Sequence, residues 1–150
     1  MSVIQDSGVS KGKYVVRGTP IQCSCGSAPD VLNLSESHHV YVVDQPILTV
    51  KDCVVQENII SFGSCSSSKH PDAKEEIEVS TWLFFSKKKE IDKAATGMLP
   101  CTPLIEANPP RWNQPHEDTL VNGEPALLDK ATLICSHGGL IRIGTEETGC

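Results

Sequence analysis

Thr19-Pro20-Ile21-Gln22-Cys23-Ser24-Cys25-Gly26 is echoed late in the chain by Ala131-Thr132-Leu133-Ile134-Cys135-Ser136-His137-Gly138. In both stretches an apolar run enters Cys-Ser-x-Gly. A second echo links Val40-Tyr41-Val42-Val43-Asp44-Gln45-Pro46 to Thr119-Leu120-Val121-Asn122-Gly123-Glu124-Pro125. Recurring units of strand, turn and proline point to internal repetition. The fold expected is mainly β, a pseudo-symmetric stack of short hairpins that brings matching residues of separate repeats toward one point.

Composition agrees with this. The 150 residues fit one domain, 1–150. Apolar residues make up 39% and aromatics only 5%, so the core must rest on Val, Ile and Leu. Eleven glycines and ten prolines supply many turn positions and favour short strands over a helical bundle. A net charge of −6 with no long basic run argues against nucleic acid as a partner.

Outward from the echoes, residues 1–12 read as a loose polar arm. Tyr14-Val15-Val16 reads as a first strand, Val31-Leu32-Asn33-Leu34 as a short one, and His39 to Val43 as a strong one. Asp44-Gln45-Pro46 is the expected turn into Ile47-Leu48-Thr49-Val50, and Asn58-Ile59-Ile60 is another short strand. Asn122-Gly123 between apolar runs signals a hairpin. Leu133-Ile134-Cys135 and Leu140-Ile141-Arg142-Ile143 close the β pattern. The 66–96 stretch differs in character. Its lysines and glutamates surround Ile77, Val79 and Thr81, which fits either a helix starting near Asp72 or a hairpin, and it is taken as a mixed insertion.

The seven cysteines carry the chemistry. The N-terminus, Met1-Ser2-Val3-Ile4-Gln5-Asp6, has neither a charged n-region nor an apolar h-region, and no stretch is long enough to span a bilayer. Synthesis in the cytoplasm is expected, where stable disulfides are rare. Metal binding is then the leading explanation of so many thiols, redox chemistry the second, and burial of small apolar residues the third. Cys150 reads as a stray thiol. Paired Cys-x-x-Cys spacing is absent. Cys23-Ser24-Cys25 and Cys135-Ser136-His137 put residues two apart, on one face of an extended segment. Cys53, Cys65 and Cys101 stand singly, so a site using them takes one ligand per loop and staples distant segments. His38 and His39 are expected to face solvent, and His70 and His116 to lie in loops beside prolines. No catalytic set of acid, base and nucleophile can be named, and Gly138-Gly139 precedes a strand, not the helix a phosphate site needs.

These motifs, in order, resemble a known family. Cys23-Ser24-x-Gly26 with Ala28-Pro29, then Asn58-Ile59-x-x-Phe62-Gly63-x-Cys65-x-Ser67, then Pro100-Cys101-x-Pro103, then Gly123-x-Pro125-Ala126-Leu127, then Leu133-x-Cys135-x-x-Gly138-Gly139-x-Ile141 are similar to the PAAR-like proteins, once grouped as a domain of unknown function. The likeness runs from about Tyr14 to Ile143. It implies a small β-rich cone or prism that caps the trimeric spike (VgrG-like) of a type VI secretion or related contractile injection system, seated on the β-helical end of the spike. It implies a structural zinc at the apex and no enzymatic activity. It also implies attached effectors, residence in the bacterial cytoplasm before firing and delivery outside with the spike, with no stable membrane insertion beforehand. Carried over by position, Cys135 matches the C-terminal ligand cysteine and Cys23 its place in the first repeat. Cys53 stands where the family has histidine in an Asp-His pair, and Cys65 and Cys101 compete for a fourth place. Cys25 and His137 match no fixed family ligand. The 66–96 segment departs from the family's Ala-rich stretch. The alternative readings are a free-standing zinc-binding module, a small metallo-hydrolase toxin, or a redox module built on Cys23 and Cys25.

Overall fold

The computed structural model describes residues 12–81, 85–92, 99–115, 119–145 and 149–150, with only the backbone described for the strands at 74–81 and 85–92. It is mainly β, built of several small antiparallel sheets with short strands, and no helix occurs among the described residues. The strands are β1 (Pro20–Cys23), β2 (Asp30–Val31), β3 (Tyr41–Val42), β4 (Gln45–Pro46), β5 (Lys74–Thr81), β6 (Phe85–Asp92), β7 (Leu120–Val121), β8 (Glu124–Pro125), β9 (Thr132–Ile134) and β10 (Leu140–Ile143). The largest sheet has the order β2-β1-β10-β9. Its central pair joins the first echo to the end of the chain, with Ile21 opposite Ile143 and Cys23 opposite Ile141.

The second echo is a repeated hairpin. Tyr41 pairs with Pro46 and Val42 with Gln45, while Leu120 pairs with Pro125 and Val121 with Glu124. Both central residues of each turn have positive φ: Val43 at 47° and Asp44 at 63°, Asn122 at 53° and Gly123 at 82°. That is the twist of a type I′ turn. Asn-Gly suits it. Val43 does not, since its branched Cβ is crowded in the left-handed region. This corrects the strand expected through Val43 and the turn expected at Asp44 to Pro46: the turn is Val43-Asp44, and Gln45–Pro46 is already strand.

Behind each hairpin the chain enters a ring. The Leu48 N–H donates to the Val15 carbonyl at 3.0 Å, the Val15 N–H to the Leu127 carbonyl at 2.9 Å, and the Leu127 N–H to the Leu48 carbonyl at 2.9 Å. Three buried residues from three distant segments thus close a cycle in which each gives one backbone bond and takes one. Isolated bridges between Val16 and Ile47, Tyr14 and Leu128, and Thr49 and Ala126 flank it. Tyr14 to Val16 and Ile47 to Val50 are therefore arms of this ring and not the separate strands expected. Ile47, Val121 and Ala126 form a small apolar cluster on one side, while the main core holds Leu48, Leu127, Trp112, Phe62 and the buried cysteines.

The insertion is a hairpin, which overturns the helix considered from Asp72. β5 and β6 pair in register from Lys74 opposite Asp92 to Thr81 opposite Phe85. The β-branched Ile77, Val79 and Thr81 at alternate positions favour strand over helix.

Candidate functional site

At the end of β1, Cys23 and Gly26 make a turn in which the Gly26 N–H donates to the Cys23 carbonyl at 3.0 Å, and Gly138 does the same to Cys135 at 2.9 Å. The two Cys-Ser-x-Gly stretches thus share one turn-closing bond, although Gly138 has a positive φ of 107° and Gly26 does not. Gly26 bridges Cys65, Ser64 bridges Pro100, and Ile105 bridges Cys135. These pairings gather four chain segments at one end of the fold.

Each segment brings one buried, free cysteine: Cys23, Cys65, Cys101 and Cys135. Cys101 hydrogen-bonds Cys23 and lies within electrostatic range of Cys65 and Cys135. Backbone N–H groups aim at the sulfurs. Cys25 and Gly26 donate to Cys23. Ser67 donates to Cys65 at 3.4 Å and Leu104 to Cys135 at 3.3 Å. At Cys23 the two N–H donors stabilise thiolate over thiol. The Cys101 bond, opposed by burial and aided by the two N–H groups, lowers the Cys23 thiol to about 7. Cys101 is pushed far up by the same bond, by burial and by the three neighbouring sulfurs.

Gly139 is what lets the cluster close. A Cβ there would stand 2.5 Å from the Cys23 sulfur and within van der Waals reach of the Cys25 and Cys135 Cβ atoms. The sequence offered no reason to single out Gly139 beyond its place in the family-like motif.

Cys53 is not in this group. Its Sγ points at the Val50 carbonyl at 3.9 Å, and burial followed by the Asp52 carboxylate pushes it up to about 12. Beside it, Asp52 Oδ2 accepts from the Thr49 N–H at 2.7 Å and the Thr49 hydroxyl at 3.2 Å, and lies 2.7 Å from His38 Nε2. His38 is therefore half-buried and paired, contrary to the solvent-facing position expected, while His39 is exposed. The turn after Val50 is held by the Asp52 carboxylate through Thr49 and His38.

Cys25 and Cys150 form a disulfide. This corrects the reading of Cys150 as a stray thiol and places one disulfide in a chain where disulfides were expected to be rare. No spacing rule pairs residues so far apart. His137 and His70 meet as tilted rings with centroids 4.4 Å apart, and burial and then the His70 charge lower the affinity of His137 for a proton, while Asp72 opposes them. His116 lies outside the described residues.

The donor set suits a thiophilic ion in number, burial and chemistry. Its placement is that of a thiol cluster: among the described residues, no three His, Cys, Asp or Glu side chains stand so that they could hold a metal ion as they are. Among those residues no helix is long and apolar enough to cross a membrane.

A family model described as a domain of unknown function (DUF4280) matches residues 15–147. No curated protein and no solved structure matches the chain.

Proposed function

The chain belongs to the DUF4280 family, and from that premise we propose that it is the tip that caps the trimeric spike of a type VI secretion or related contractile injection system, a structural protein of the PAAR-like kind. The observation that carries this reading is the ring of Val15, Leu48 and Leu127. One chain that closes three of its segments into a cycle of backbone bonds is suited to meet a partner made of three identical chains. The ordered motifs from Cys23 to Ile141 support the same reading by resemblance.

The second support is the sulfur cluster. In this reading Cys23, Cys65, Cys101 and Cys135 hold a structural zinc, and Cys53 is a packing residue. The ion would cross-link four loops and stiffen a small core against impact. A shell of four cysteines leaves no open position for a substrate or water, which favours a structural role over a metallo-hydrolase. Residence in the cytoplasm until firing, and carriage of effectors, belong to the same proposal.

The test is direct. The full chain is mixed with each trimeric spike protein of its own genome, and the mass of any complex is measured. One chain per three spike chains is the expected result. A chain that binds none of the spikes of its own genome sinks the proposal.

A further inference from the structure

We infer that Cys25 and Cys150 form a reversible redox strap, closed by a disulfide oxidant and opened by a thiol, which ties the segment after β10 to the sulfur-rich end while leaving the other five thiols reduced. Three observations carry it. The bond joins residues 125 apart in sequence. Its inner half, Cys25, is buried beside Gly139, where an added Cβ would also meet the Cys23 sulfur and the Cys135 Cβ. Its outer half, Cys150, is exposed.

This arrangement sets a sequence of steps. The Cys150 thiolate attacks oxidised glutathione, forming a mixed disulfide and releasing one glutathione thiolate. The Cys25 thiolate then attacks the Cys150 sulfur of that mixed disulfide. A second glutathione thiolate leaves, and the two protons of the cysteines end on the two glutathiones. Reduction retraces the path from the exposed side. Selectivity comes from access: Cys23, Cys53, Cys65, Cys101 and Cys135 are all buried, whereas Cys150 is exposed. The strap also removes Cys25 as a rival donor two residues from Cys23. Its use, locking the molecule once it leaves a reducing compartment, rests on the delivery role proposed above; its chemistry does not.

The full chain is held in glutathione buffers from reducing to oxidising, then alkylated and mapped by mass spectrometry, with melting followed in parallel. One disulfide, Cys25–Cys150, should form, with a loss of about 2 Da and a melting temperature several degrees higher. Cys150→Ser and Cys25→Ser chains should each lose both effects. Pairing of Cys25 with Cys23 or Cys135, or equal melting of the oxidised chain and the Cys150→Ser chain, overturns the strap. Zinc is measured on the same samples, so a failure of the metal reading registers separately from a failure of the strap.

Discussion

Cys23 and Cys101 share a side-chain hydrogen bond, and this contact sets opposite protonation preferences on two buried thiols. Cys23 is lowered from the ordinary 9.0 to about 7, while Cys101 is raised. Between about 7 and 9.0 the unfolded chain holds more protons at Cys23 than the folded one, so its contribution is full above 9.0 and is lost as pH falls through 7. Cys53 runs the other way: pushed up to about 12, it costs stability as pH rises above 9.0. The urea midpoint of metal-free protein should therefore climb from neutral to mildly alkaline pH and then turn down. Cys23→Ser should remove the climb and keep the fall.

Zinc content should separate the five free cysteines. Elemental analysis of protein purified without chelator is expected to give about one zinc per chain. Cys65→Ser, Cys101→Ser or Cys135→Ser should release it, and Cys53→Ser should not. Equal loss in Cys53→Ser and Cys135→Ser would remove the assignment of four particular sulfurs.

Gly139 is predicted to tolerate no side chain. In Gly139→Ala the new Cβ meets the Cys23 sulfur at 2.5 Å, and the overpacking should cost about 1–3 kcal/mol by urea denaturation. Gly123→Ala meets nothing within 4 Å; its cost comes only from a positive φ and should be about 1 kcal/mol.

Val43→Asn tests the hairpin repeat. Val43 occupies a left-handed turn position with 81% of its surface exposed, so its substitution loses little packing. Asparagine accepts that backbone more readily, and a gain of about 0.5–1 kcal/mol in denaturant is expected.

Asp52→Ala should cost about 1–3 kcal/mol, because the Thr49 N–H loses its acceptor in a part-buried turn. Zinc content should stay unchanged. A fall in zinc would instead tie Asp52 and its neighbour Cys53 to the metal.

Much of this architecture could be read in the chain because it is local. Asn122-Gly123 announces its hairpin, and the paired Cys-Ser-x-Gly stretches close with the same Gly-to-Cys backbone bond. Val43-Asp44 hid an identical hairpin, since a β-branched residue reads as strand and only the register with Gln45-Pro46 shows otherwise. The site was half legible. Five cysteines could be named as candidates, but dividing Cys53 from the other four depends on the bridges from Gly26 to Cys65, Ser64 to Pro100 and Ile105 to Cys135, which join segments far apart. Cys25 and Cys150 were hidden for the same reason, and His38 because its partner Asp52 lies on another turn.

The ring of Val15, Leu48 and Leu127 also governs how the molecule assembles. Its first bond partner emerges early in synthesis and its last only near the end, so no early fragment can complete the cycle. Closure of these long loops must precede the reward of the contacts they make, which places this chain among slow, high-contact-order folders. Until Leu127 arrives, the Leu48 carbonyl and the Val15 N–H are left open on a nascent chain, and a truncated product ending before the second hairpin would carry those open backbone groups as points for wrong strand pairing.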